Sequence, residues 1–167
     1  MPLQIIRQDI TKMQVDAIVN TTNEEMVGYS GVDLAVHEGA GPELDAECAR
    51  LAPLGLGQAK ITKGYNLKAK YVIHTVGPIY SSNRKEECRV ALKSCYQKSL
   101  ELAKENGCES VAFPLISAGA YGYPKKEALE VAVETIEKFG EGLDCSIILF
   151  DKEACDIAKE EFSEYWE

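Results

Sequence analysis

Two stretches of the sequence carry residue types suited to an anionic ligand. In the first, Asp16 to Gly41, an apolar run from Ala17 to Val19 leads into Asn20 and Asn23. It then passes through Gly28-Tyr29-Ser30-Gly31 and leaves by Val32 and Asp33 into a helix-like segment. In the second, Ser110 to Pro114 empties into L-I-S-A-G-A-Y-G-Y-P over residues 115–124. At such junctions backbone N–H groups can face an anion while the following helix adds partial positive charge at its N-terminus. Glycine there takes backbone angles and approach distances closed to other residues. Two junctions after two strands imply one shared phosphate cleft at the carboxyl ends of the strands.

The side chains around these junctions extend the chemistry. Asp33 is an acid in a first helical turn and, taken alone, reads as a helix cap. His37 follows four residues later on the same helical face, where it tunes that acid or packs behind the loop. Asn20 reads as a brace for local backbone, which short amides bond readily. His74, inside an apolar strand, reads as a satisfied core histidine. Tyr121 and Tyr123 read either as a lid over the cleft or as loop aromatics packed on their own helix. No G-x-x-x-x-G-K-[ST] is present, which removes the P-loop class, and no G-x-G-x-x-G with a following ribose-binding acid argues for a dinucleotide site.

The elements that must position these residues follow from periodicity. Leu3 to Ile6 alternates as an edge strand, with Asp9 just past its end. Asp16 to Val19 is a second strand of the buried type. Asp33 to Glu38 begins a helix and Pro42 to Leu51 supplies another. A strand around Ala59 to Thr62 bends back through Gly64 to Asn66 and pairs as a hairpin with Tyr71 to Val76. Arg84 to Asn106 is the longest helical pattern, with Val90, Leu92, Cys95, Leu100, Leu102 and Ala103 on its apolar face and Asn106-Gly107 as its stop. Ser110 to Pro114 is a strand, Lys125 to Phe139 a helix, Cys145 to Phe150 a last strand and Glu153 to Tyr165 a terminal helix. Strands alternating with helices predict an α/β fold, a three-layer α/β/α sandwich with a mixed, mostly parallel central sheet.

The whole chain, 167 residues with 46% hydrophobic content, fits one domain over residues 1–167 with a proper core. A formal net charge of -9 disfavours free DNA or RNA as a partner, because grip on that backbone comes mainly from Lys and Arg. No apolar run approaches the ~20 residues of a membrane span. The six cysteines form no C-x-x-C pair and no zinc-ligand spacing. With an N-terminus too short and polar for a signal peptide, they predict reduced thiols in a cytoplasmic protein.

Taken together, Q-D-I-T (8–11), V-D-A-I-V-N-T-T-N (15–23), G-V-D-L-A-V-H (31–37), G-Q-A-K-I-T-K-G-Y-N-L (57–67), V-I-H-T-V-G-P (72–78), F-P-L-I-S-A-G-A-Y-G-Y-P (113–124) and I-L-F-D (148–151) resemble a macrodomain, in order and over nearly the whole chain. Asn23 with an aspartate ten positions later makes the chain similar to the MacroD-type ADP-ribosyl hydrolases. The resemblance implies ADP-ribose as ligand, no cofactor and no metal, since the Cys and His ligands of the family's zinc-containing branch are missing. Asp9, Ile10 and Phe150 resemble the adenine-binding residues: Asp9 to accept from the exocyclic amine, Ile10 to present its backbone N–H, and Phe150 to pack on the ring. Taken alone, Asp9 is a turn aspartate and Phe150 a core aromatic.

Asn23 and Tyr121 resemble the residues at the distal ribose. Gly31 and Val32, with Ser117, Ala118, Gly119, Ala120, Tyr121 and Gly122, resemble the two walls around the diphosphate. Asn23 and Asp33 resemble the catalytic pair, with Asp33 orienting or activating a water. The implied reaction is removal of mono-ADP-ribose from acidic side chains of ADP-ribosylated proteins, with deacetylation of O-acetyl-ADP-ribose as a second one. A non-catalytic reader of ADP-ribose or its polymer, and a phosphatase acting on ADP-ribose 1''-phosphate, stand as alternatives. The chain departs from the family pattern at Thr21-Thr22, between the asparagines, and at Tyr29-Ser30, where glycines are usual. The second departure stiffens a loop that must open and close, and so bears on turnover and leaving-group preference.

Overall fold

The computed structural model describes residues 3–167; Met1 and Pro2, which the reading of the N-terminus included, lie outside the described residues. Six strands form one sheet: β1 (Leu3–Arg7), β2 (Ala17–Thr21), β3 (Ala59–Lys63), β4 (Tyr71–Thr75), β5 (Ser110–Pro114) and β6 (Asp144–Leu149). Their spatial order is β1-β6-β5-β2-β4-β3. All neighbours are parallel except β3 and β4, which form the expected antiparallel hairpin. Among the described residues there are five α-helices: α1 (Gly31–Ala40), α2 (Pro42–Leu51), α3 (Lys85–Glu105), α4 (Lys125–Phe139) and α5 (Lys152–Glu161).

Both faces of the sheet are covered, and the strands show it residue by residue. Successive strand side chains point to opposite faces. Val19, Ile73, Phe113 and Ile147 accordingly join Tyr96, Leu92 and Ile136 of α3 and α4 in one core. Their neighbours Ile18, Val72, Ala112 and Ile148 join Val36 and Leu44 of α1 and α2 in the other. This is the predicted three-layer arrangement, and it explains why the strands read as continuous apolar runs. Among the described residues no helix is long and apolar enough to cross a membrane.

The topology also fixes where a ligand can sit. Strands β2 and β5 are parallel neighbours, yet the chain leaves β2 towards α1 and leaves β5 towards α4, on opposite faces. Their loops therefore diverge and open a crevice at the carboxyl edge of the sheet.

Several boundaries differ from expectation. The strand β6 stops at Leu149, leaving Phe150 beyond it. The terminal helix ends at Glu161, short of Tyr165. The chain then extends beside β1, where the N–H of Ile5 donates to the carbonyl of Tyr165 at 2.8 Å and the N–H of Glu167 to that of Ile5 at 3.0 Å. An open edge strand leaves backbone groups unpaired, and the tail covers them. On α3, Val90 is 59% exposed. The buried face of that helix runs through Cys88, Leu92, Cys95, Tyr96 and Ser99, and Val90, two residues from Cys88, points away from it.

Candidate active site

A cleft of about 520 Å³ opens at the carboxyl ends of β2, β5 and β6, within the size range of small-molecule sites. Its first wall is the loop after β2 and the start of α1, with Asn23, Gly31, Val32 and Asp33 lining it alongside Tyr29 and Ser30. Gly31 has φ +58°, a left-handed angle that turns the chain into α1. The first N–H groups of that helix, from Gly31 to Asp33, have no earlier carbonyl to bond within it. Gly28 is required for a different reason: a Cβ there would lie 2.7 Å from the Cβ of His37.

The second wall is the loop after β5. Ser117, Ala118, Gly119, Ala120 and Tyr121 line the cleft, and Ser117 holds φ 65°, unusual for a residue with a side chain. The carbonyl of Ser117 accepts from the N–H of Tyr123, and the carbonyl of Gly119 from the N–H of Gly122. Among the described residues no intramolecular acceptor meets the N–H groups of Gly119, Ala120 and Tyr121, so this loop offers donors to an anion. Gly122 closes that turn without lining the cleft. Tyr123 is buried and packs edge-on against Tyr80 at 4.9 Å, so the lid reading holds no place for it.

At the far end Phe150 is 75% exposed on the rim, which removes the core reading of that side chain. Beside it Lys125 bonds Asp151 at 2.8 Å and reaches Glu153 at 3.4 Å. Burial pushes the Asp151 carboxyl up, but the Lys125 ammonium and the Ala154 N–H outweigh it and hold it below the usual range. Asp9 and Ile10 lie outside the cleft lining. They sit just beyond it, since the N–H of Gln8 donates to the carbonyl of the cleft residue Leu149 at 3.0 Å. Asp9 caps a short 3-10 turn, its Oδ1 accepting from the Thr11 N–H and hydroxyl. That hydroxyl is the main reason its carboxyl is held low.

The opposite end holds a buried polar cluster. Asp33 Oδ1 accepts from Asn20 Nδ2 at 2.9 Å, and Oδ2 accepts from the Thr22 hydroxyl at 3.0 Å and from the Tyr29 N–H at 3.4 Å. Burial raises the Asp33 carboxyl above the ordinary carboxylate range, and these hydrogen bonds with nearby His37 only partly oppose it. Asp33 is therefore not the helix cap that its position suggests; Ser30 occupies that place. Asn20 braces Asp33, where local backbone had been expected, and donates as well to His74 Nδ1 at 3.2 Å. His74 in turn meets the Thr62 hydroxyl through Nε2 at 3.0 Å, and burial lowers it to about 3, so it stays neutral and satisfied as expected. Asn23 uses Oδ1 to accept from the Val27 N–H at 3.2 Å, which leaves its amide N–H groups for the cleft.

Sequence reasoning missed Thr22 as a partner of Asp33. The signal was available, because Asn20 and Thr22 are two apart at a strand end and so share a face. Lys125 and Asp151 carried no such signal, since they meet only through the fold. The six cysteines are free and buried; burial pushes Cys48 and Cys145 up to about 12, as inert thiols. Among the described residues no group of His, Cys, Asp and Glu is arranged to hold a metal ion.

Comparisons with known proteins agree with this geometry. The family model described as Macro domain matches residues 19–132. A Macro domain-containing protein of Mesorhizobium japonicum is 53% identical over 134 residues, covering 80% of this chain and 76% of that one. The ADP-ribose glycohydrolase MACROD2 of Xenopus laevis is 51% identical over 131 residues, covering 78% of this chain but 31% of that longer protein. Among solved structures, a variant of the Oceanobacillus iheyensis macrodomain with ADPR superposes with a TM-score of 0.90 at 37% identity, covering 97% of this chain and 92% of that one. The chain belongs to the Macro domain family.

Proposed function

We propose that this protein binds ADP-ribose in the cleft and hydrolyses its bond to acidic side chains of ADP-ribosylated proteins, with deacetylation of O-acetyl-ADP-ribose as a related reaction. The observation that carries the reading is Asp33: a buried carboxylate at the cleft floor, fixed by Asn20 and Thr22 and raised by burial towards the range where a general base works. The name of the frog relative, an ADP-ribose glycohydrolase, supports hydrolysis, and the bacterial structure with ADPR supports the ligand.

In this reading Phe150 covers the adenine, the Asp9 carboxylate accepts from its amine, and the Ile10 N–H faces the ring. The start of α1 at Gly31 and Val32 and the loop from Ser117 to Tyr121 enclose the diphosphate, with the free N–H groups of Gly119, Ala120 and Tyr121 as donors. A protein of net charge -9 thereby holds an anion without a basic field. Asn23 and Tyr121 hold the distal ribose. Asp33 takes a proton from a water aimed at the anomeric carbon as the bond to the carboxylate leaving group breaks, so positioning supplies much of the rate. No step calls on a metal or cofactor. Six buried free thiols fit a cytoplasmic, reducing compartment.

The test is a gel assay on a glutamate-modified target protein. Wild type is expected to release the label and Asp33→Ala to release none within the same time. Full release by Asp33→Ala would sink the mechanism. Stoichiometric ADP-ribose binding without release by wild type would make the protein a reader.

A further inference from the structure

Behind the cleft, Asp33 is joined to solvent on the other side of α1. His37 is buried, its Nε2 lies 3.4 Å from Asp33 Oδ1, and its Nδ1 lies 2.6 Å from Oδ1 of Asp45 on α2. The Asp45 side chain is 61% exposed. With His37 it borders a separate recess, between the loop after β2 and the start of α2, that Glu25 and Glu38 also line. Asp33 lines the cleft and not this recess. The three side chains thus run from cleft floor to rear surface.

Hydrogen positions along this chain follow from donor and acceptor counting. A carboxylate only accepts, so the short contact to Asp45 places a proton on His37 Nδ1. His37 Nε2 makes no hydrogen bond, and Asp33 Oδ1 faces it at 3.4 Å, within ion-pair distance. A bare nitrogen lone pair against a carboxylate oxygen is repulsive, so one proton belongs to the pair Asp33 and His37 together. Asp45 thereby places negative charge behind the ring and fixes which nitrogen faces Asp33, and the nearby imidazole is among the groups that oppose the rise burial imposes on Asp33. The other titratable groups around His37 do not replace this effect. His74 on β4 lies 6.3 Å away between ring centroids and is neutral. Cys48 on α2 is held as a thiol by burial. Neither Glu25 nor Glu38 contacts the ring within ion-pair distance.

We propose that Asp45 is a positioning residue for the reaction, acting through His37 to keep Asp33 ready to accept a proton from water while the ligand fills the cleft. The proposal rests on the hydrolase reading above. Its balance is simple. Water adds its oxygen to the anomeric carbon, the bond to the carboxylate oxygen breaks with its electron pair, and the proton from water goes to Asp33. The freed carboxylate takes no proton at neutral pH, so one proton must leave the site in each turnover.

The test uses the full chain with Asp45→Asn, Asp45→Glu and, as a charge control, Glu43→Gln, which removes the other first-turn acid of α2. Hydrolysis rates are measured across neutral and mildly alkaline pH, with ADP-ribose affinity by calorimetry. Asp45→Asn is expected to lower kcat about two- to fivefold, the size an ion pair with one exposed partner supports. It should also move the alkaline limb of the profile about half a unit towards lower pH, with affinity unchanged. Asp45→Glu should restore most of the rate, and Glu43→Gln should match wild type. An Asp45→Asn profile superimposed on wild type, or an equal change from Glu43→Gln, overturns the proposal. If wild type does not hydrolyse, the hydrolase reading has failed by itself. Nitrogen NMR of the His37 ring then decides the coupling: titration moved to lower pH in Asp45→Asn upholds it, and identical titration in both proteins overturns it.

Discussion

The two ends of the cleft treat their carboxylates in opposite ways. At the α1 end Asp33 is buried, surrounded by side-chain donors, and raised above the ordinary range by desolvation. At the Phe150 end Asp9 and Asp151 face solvent more openly and are held low, Asp9 by the Thr11 hydroxyl and Asp151 by Lys125 against its partial burial. The same functional group becomes a proton acceptor in one place and a fixed hydrogen-bond acceptor in the other, and environment alone makes the difference. On the proposed function, one end serves the chemistry and the other recognition.

That division should break most visibly in a pair of variants. Asp33→Asn keeps shape and polarity but cannot take a proton. Its kcat should fall by about 10²-fold or more while ADP-ribose affinity stays within a fewfold of wild type. Phe150→Ala should do the reverse, weakening affinity by the roughly 0.5–1.5 kcal/mol of an aromatic stack beyond burial and leaving kcat in place. Calorimetry and saturating-substrate rates separate the two effects. Equal loss of kcat from both variants would erase the distinction between the ends.

A smaller effect sharpens the same contrast through stability. For Asp33 the folded state binds its proton more tightly than the unfolded state. Its contribution to stability is full below the unfolded value and falls as pH rises through the raised folded value. For Asp151 the folded value is depressed. Its contribution is present above the unfolded value and is lost as pH falls through the folded one. Relative to wild type, Asp33→Asn should therefore gain thermal stability on going from acid to neutral pH, and Asp151→Ala should lose it. Asp151 also caps α5 by accepting from the Ala154 N–H at 3.0 Å, a role worth about 1 kcal/mol. Thermal unfolding of the three proteins at two pH values reads both slopes, and slopes of the same sign would contradict the contrast.

How far these ends were legible in sequence depended on whether the signal was local. The loop after β2 announced itself because Asn23, Gly31 and Asp33 lie within one strand-to-helix connection, and local rules found the helix but began it at Asp33, two residues after its start at Gly31. Phe150 lines the cleft, although its own apolar character pointed to the core; ending β6 one residue earlier puts it on the rim. The partners of Asn20 were not local backbone, because one of them is set by pairing across the sheet. Asn20 lies opposite His74 in the register of β2 and β4, and no spacing along the chain encodes that. Asp45 was passed over for a similar reason. It meets His37 only because Gly41 turns α2 back against α1, with φ +94°. The tail at Tyr165 continued a helical pattern until the open edge of β1 competed for it.

The smallest effect concerns the loop joining the two chemistries of the first wall. Tyr29 is 79% exposed, and its N–H donates to Asp33 Oδ2 at 3.4 Å. Tyr29→Gly keeps that N–H, so the environment of Asp33 is retained, while the side chain that limits the backbone is removed. If loop opening limits turnover, kcat should rise about two- to threefold, and ADP-ribose should bind weaker by under about 1 kcal/mol, because a looser loop costs more to order. The same substitution leaves the Phe150 end untouched, so a competing adenine nucleotide should lose no affinity. A fall in kcat would instead assign the Tyr29 ring a contact with the leaving group, and would move that residue from the hinge of the loop into the chemistry at its end.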